Sequence, residues 1–125
     1  MEAYRSQADL LKAISHPARL AVLEILREGE QCVCHMEAVL GLRQASISQQ
    51  LMILREASLV EVRRDGLNMY YRVVEPRVFD VLDAVYVVTG KPKPRAMHKH
   101  GKAECPCPKC RAVQHVPLNQ ISIRE

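Results

Sequence analysis

Residues 32–59 read CVCHMEAVLGLRQASISQQLMILREASL, and they divide into two short helical segments about Gly41. The first, Met36 to Leu40, ends at that glycine, which takes the left-handed conformation closing a helix at little steric cost. The second is predicted from about Gln44 to Ala57, because Ile47, Leu51 and Leu54 fall at i, i+4 and i+7 and form one apolar stripe. Gln44, Ser46, Ser48, Gln49, Gln50 and Arg55 take the other faces. Amides read adenine edges in a major groove, and hydroxyls reach phosphates or bases. The pair is therefore read as a helix-turn-helix, with a plain helical hairpin bearing a solvated polar face as the alternative.

The whole chain has 125 residues, enough for one domain with a real core. It holds no apolar run of membrane-spanning length, and the start MEAYRSQADLLKA lacks a signal-peptide pattern. A cytoplasmic protein with no membrane partner is expected. In that reducing compartment, five cysteines point to metal ligands or reactive thiols before structural disulfides. The net charge of +4 is uneven: residues 1–90 carry ten Lys/Arg against twelve Asp/Glu, and residues 91–125 carry eight against two. Bulk charge does not make the first part a nucleic-acid binder. DNA affinity must come from a local arrangement, helped by the tail.

Upstream, Ala8, Leu10, Leu11 and Ile14 have helical spacing, and Ser15-His16-Pro17 ends that helix. Ser15 or His16 caps a second helix that starts at Pro17, where a missing N–H costs nothing, and runs to about Glu28. It is predicted to bury Leu20, Leu23, Ile25 and Leu26, and Gly29 stops it. Downstream, Val60 and Val62 alternate with Glu61 and Arg63, and Met69 to Val74 is a second β-prone run. Asp65-Gly66 at the centre of the intervening segment signals a hairpin. Placed after a recognition helix, that hairpin is a wing: Arg63, Arg64 and Arg72 give it positive charge and Asn68 a hydrogen-bonding tip. A last helix from Pro76 to about Thr89 is apolar on much of its circumference. With the first helix, it could build a two-fold dimer interface.

These residues together resemble the ArsR/SmtB family of bacterial winged-helix repressors over roughly residues 7–90. The matching segments are His16-Pro17-Ala18-Arg19, the doublet Cys32-Val33-Cys34, Ser46 to Leu51 leading to Leu54-Arg55-Glu56-Ala57, and the wing from Arg64-Asp65-Gly66 to Tyr70-Tyr71-Arg72. The resemblance implies a mainly α fold with a small β-hairpin, a winged helix-turn-helix of order α-α-α-α-β-β-α, acting as a homodimer. It also implies a repressor that blocks operator DNA and releases it when an inducer binds, commonly a toxic metal or metalloid. Residues 1–90 would form the DNA-binding and dimerisation domain, and 91–125 a basic tail. The expected DNA contacts are Gln44, Ser46, Ser48, Gln49 and Gln50 at the groove, Arg64 and Asn68 on the wing, and Arg43 on a phosphate, although relatives often have a small capping residue there.

The inducer chemistry rests on cysteine. Residues at i and i+2 of a regular helix point about 200° apart and cannot share one ion. Cys32 and Cys34 therefore converge only in a distorted first turn, which the loop Gly29-Glu30-Gln31 permits. The alternative is two packed cysteines acting as small apolar residues. The doublet resembles the cysteine-type site of the family, but His35 stands where an acidic residue commonly follows and no N-terminal cysteine completes the set. His35 is expected at the surface, with a role as nitrogen ligand as the alternative. The family's other site, of histidine and carboxylate on the last helix, is discounted: Asp80 and Asp83 are present but no histidine is.

The missing donors are expected from the tail. After the polyproline-like Lys91-Pro92-Lys93-Pro94 come His98, His100 and the cluster Cys105-Pro106-Cys107-Pro108-Lys109-Cys110. Proline biases Cys105 toward extended geometry, where i and i+2 side chains point the same way and suit one ion. Cys105, Cys107 and Cys110 either join Cys32 and Cys34 or form a separate site with His98, His100 or His115. Fifteen extended residues from Gly90 to Cys105 reach up to ~50 Å, which permits both. Three thiolates suit arsenite, As(III); four suit cadmium, lead or zinc. A redox or reactive-sulfur sensor, joining Cys34 to Cys105 or Cys107, is the competing expectation. No enzyme is expected: Cys107-Pro108-Lys109-Cys110 sits among prolines, and no phosphate loop, Ser-His-Asp order or carboxylate pair accompanies it.

Overall fold

The computed structural model describes residues 1–92. A 3-10 turn (Glu2–Tyr4) leads into α1 (Arg5–Ile14) and α2 (Pro17–Leu26). A short strand β1 (Gln31–Cys32) runs directly into α3 (Val33–Leu40), followed by α4 (Gln44–Glu56), β2 (Val60–Asp65), β3 (Asn68–Val73) and α5 (Val78–Thr89). This is the winged helix-turn-helix order expected from the sequence, with one addition. β1 makes the hairpin a three-stranded antiparallel sheet, ordered β1-β3-β2. Two residues carry no alternation for a sequence pattern to detect, so β1 exists only through its pairing with β3.

Local chemistry accounts for the element ends. His16 caps α2 by accepting the Ala18 N–H on Nδ1 at 3.0 Å, with Pro17 in the first turn. Gly41 closes α3 at φ +65°, its N–H returning to the Glu37 carbonyl at 2.9 Å. α2 stops at Leu26, two residues short of expectation, and α5 starts at Val78, two residues late. At the latter, Glu75 binds the Arg77 side chain and N–H, fixing a turn ahead of the helix. Asp65 pairs with Asn68, so the hairpin loop is Gly66-Leu67 and not Asp65-Gly66. Positive φ at Gly66 alone, the first central residue, matches a II′ turn.

The core gathers Val22, Leu23 and Ile25 of α2, Met36 of α3, Val78 and Leu82 of α5, and the predicted stripe Ile47, Leu51 and Leu54 of α4. Each fully buried side chain of this size contributes about 1.5–3 kcal/mol. Leu20 is only half-buried; Val22 holds the interior position instead. Leu11 is also outside the core, 53% exposed. On α5, Val87 and Val88 are 81% and 85% exposed, so both terminal helices carry uncovered apolar surface.

α5 is anchored to α2 by a polar cluster. Arg27 holds both Glu24 and Asp83 at 2.8 Å and stacks on Phe79, while the Tyr86 hydroxyl donates to Glu24 at 2.9 Å. The Glu24 hydrogen bond, then Asp83, keeps Arg27 protonated far into the alkaline range. Burial, reinforced by Glu24, pushes the Tyr86 hydroxyl up to about 12. No helix among the described residues is long and apolar enough to cross a membrane.

Candidate nucleic-acid interface and thiol site

Because the Ile47–Leu51–Leu54 stripe faces inward, the opposite side of α4 is offered to solvent. Gln44, Ser46, Ser48 and Gln49 are all exposed there, in the N-terminal half of the helix. Arg43, at the N-cap, is extended and exposed, and its side chain makes no capping bond. Gln50 differs. It is half-buried, and its Oε1 accepts from Arg19 of α2 at 2.7 Å. Thirty-one residues separate the pair, and no local pattern announces it.

On the wing, two of the three arginines are neutralised within the chain. Arg63 donates to both Glu30 oxygens, at 2.6 and 3.2 Å, lies 3.9 Å from Asp65 and stacks on Tyr70 at 4.7 Å. The Glu30 hydrogen bond raises its pKa further. Arg72 is paired with Glu61 across the strands. Arg64 donates only to the Met69 sulfur, at 3.4 Å, and among the described residues has no carboxylate partner. Asn68 sits at the hairpin end beside the fully exposed Leu67.

The two cysteines meet where strand becomes helix. Cys32 is the last residue of β1 and the N-cap of α3, with φ −83° and ψ 157°. This extended residue breaks the helical rotation between i and i+2, and the Cys32 and Cys34 sulfurs lie 2.6 Å apart. Cys32 Sγ also accepts the His35 N–H at 3.2 Å. Cys32 is buried and Cys34 partly exposed, so the pair is reachable from one side. The positive end of α3 favours negative charge on these sulfurs. The expected surface histidine is corrected: His35 is 3% exposed, because α3 begins at Val33 and turns it inward.

Two convergent thiols are soft donors suited to a thiophilic ion, which needs a third or fourth ligand. No group of three or more potential metal ligands occurs among the described residues. Cys105, Cys107 and Cys110, with His98, His100 and His115, lie outside the described residues. On α5, Asp83 is engaged by Arg27.

The family described as "Bacterial regulatory protein, arsR family" matches residues 16–62. The chain is 41% identical over 86 residues to the Biofilm growth-associated repressor of Agrobacterium fabrum, covering 69% of this chain and 74% of that one. Its fold is similar to the crystal structure of NolR from Sinorhizobium fredii, with TM-score 0.66 and 33% identity over 73% of this chain and 91% of that one. It is likewise similar to a homodimeric winged helix-turn-helix DNA-binding domain from Mycobacterium bovis. There the TM-score is 0.62 and the identity 30%, covering 71% of this chain and 82% of that one.

Proposed function

This chain belongs to the ArsR family of bacterial transcriptional regulators and is a repressor of that family, not an enzyme; we propose that a thiophilic metal or metalloid ion bound by Cys32 and Cys34 makes it release its operator. One observation carries this reading: the two sulfurs meet at the junction between the wing's sheet and the first helix of the DNA-reading pair. An ion there would supply bonds of fixed geometry to both thiolates. The tail thiols Cys105, Cys107 and Cys110 would complete the set, with arsenite, cadmium, lead and zinc as candidates. Residues 1–90 then act as the DNA-binding and dimerisation domain and residues 91–125 as the ligand-donating extension.

In this reading Arg43, Gln44, Ser46, Ser48 and Gln49 meet the major groove and its phosphates. Gln50, held by Arg19, sets the pose of α4, and Arg64 and Asn68 contact DNA from the wing. Exposed apolar side chains on α1 and α5 support a homodimer, the state named for the Mycobacterium bovis domain. A dimer presents two recognition helices to successive half-sites of a palindromic operator.

A second reading draws on the partly exposed Cys34. A peroxide or polysulfide oxidant would join it to Cys105 or Cys107 as a disulfide, two protons and two electrons passing to the oxidant, and shift the same junction. The test for both is fluorescence anisotropy on a fragment of the protein's own promoter under reducing conditions, titrated with arsenite, Cd(II), Pb(II) and Zn(II) in turn. Release by one ion, abolished in Cys32→Ser/Cys34→Ser, is the expected result. Release by an oxidant alone would transfer the function to the second reading.

A further inference from the structure

Cys32 belongs to the thiol pair and also to the wing's sheet. Its partner across β1 and β3 is Tyr70, and the partner of Tyr70 across β3 and β2 is Arg63. Strand alternation turns Tyr71 into the main core and Tyr70 to the opposite face, where it packs with Cys32 and Cys34 in a small cluster of its own. The Arg63 guanidinium lies over the Tyr70 ring and returns to the carboxylate of Glu30, two residues before Cys32. The connections close into a ring: Glu30, Cys32, Tyr70, Arg63 and Glu30 again.

We infer that Tyr70, Arg63 and Glu30 are positioning residues that carry occupancy of the thiol pair to the wing. This rests on the reading of Cys32 and Cys34 as the inducer site. The physical argument is one of stiffness. An ion bonded to both sulfurs imposes its own bond lengths and angles on a pair that now meets only through side-chain contact. Cys32 is 1% exposed and Tyr70 4% exposed, and close-packed groups pass on a displacement that they cannot absorb. The two-fold hydrogen bond of Arg63 to Glu30 clamps the other side of the same ring. Arg64 and Asn68 lie one and two register pairs beyond the Arg63–Tyr70 pair, so a shift there reaches the wing's DNA contacts directly.

The test uses the full chain, Cd(II) as the probe and the promoter fragment. Cd(II) binding is followed by thiolate charge-transfer absorbance, DNA affinity by anisotropy, and hydrogen exchange of residues 60–73 is measured with and without the ion. In the wild type and in Tyr70→Phe, which keeps the ring, Cd(II) should weaken DNA binding by roughly 5- to 150-fold and change exchange in the wing. In Glu30→Gln and Tyr70→Leu, Cd(II) absorbance should persist while the weakening shrinks toward about one-fold. Should Tyr70→Leu fail to fold, Glu30→Gln decides. Full wild-type weakening in Glu30→Gln, or wing exchange indifferent to Cd(II), would overturn the inference. Cd(II) absorbance unchanged in Cys32→Ser/Cys34→Ser would overturn the thiol-site reading beneath it, and that failure is visible before any wing variant is made.

Discussion

The guanidinium of Arg19 on α2 donates from Nη1 to Oε1 of Gln50 on α4 at 2.7 Å, and from Nη2 to the Lys12 carbonyl at 3.3 Å. One side chain thereby ties the recognition helix to the end of α1 and the start of α2. The amide at position 50 is committed inward, while its neighbours Ser48 and Gln49 face solvent.

Gln50→Ala should therefore weaken binding to every operator variant alike. An amide that read an adenine would instead relax preference at one base position, worth about 1–3 kcal/mol. Arg19→Ala should act in the same direction and lower stability by about 1 kcal/mol. Anisotropy on a panel of single-base operator variants, with urea unfolding beside it, measures both.

The wing arginines should not contribute equally. Arg64→Ala is expected to lower the slope of log K against log salt by about one, the signature of a lost phosphate contact. Arg72→Ala should leave the slope unchanged, because Glu61 already neutralises that guanidinium. Affinities across a potassium chloride series check the difference.

Tyr86 should make the α2–α5 junction sensitive to alkali. Burial, then the hydrogen bond to Glu24, raises the hydroxyl from 10.0 to about 12 in the folded chain. The neutral form is the one that folding favours, so its stabilisation is complete below pH 10.0 and is lost as pH rises toward about 12. Wild type should exceed Tyr86→Phe by about 1 kcal/mol at neutral pH, with the gap closing over that window. Thermal unfolding of both proteins as a function of pH gives the result.

The basic tail should supply a large share of the salt-dependent affinity, since residues 1–90 carry more acid than base. Changing Lys91, Lys93, Arg95, Lys99 and Lys102 to glutamine in the full chain should flatten the salt slope by about one for each cation that meets a phosphate. An unchanged slope would place DNA affinity entirely on α4 and the wing.

Much of the architecture was legible because its cues are local. Pro17 with its histidine cap, Gly41 at a left-handed helix end, and the spacing of Ile47, Leu51 and Leu54 each act within a few residues. Where sequence reading fell short, distance was the cause. β1 has too few residues to show a period, and His35, expected at the surface, lies on the inward face of α3.

The candidate site divides in the same way. Residue order alone established that Gln44, Ser46, Ser48 and Gln49 stand off the apolar stripe of α4, that two thiols flank a helix start, and that a hairpin follows. Torsional preferences and side-chain periodicity require nothing beyond near neighbours. The folded arrangement decided what residue order left open: Arg63 and Arg72 are neutralised while Arg64 has no carboxylate partner among the described residues, Gln50 is held inward while Ser48 and Gln49 stay open, and the two sulfurs meet rather than pack apart. Those choices depend on Glu30, Glu61, Arg19 and Tyr70 arriving from elsewhere in the chain. Charge neutralisation and burial are properties of neighbours in space, and a chain acquires such neighbours only by folding.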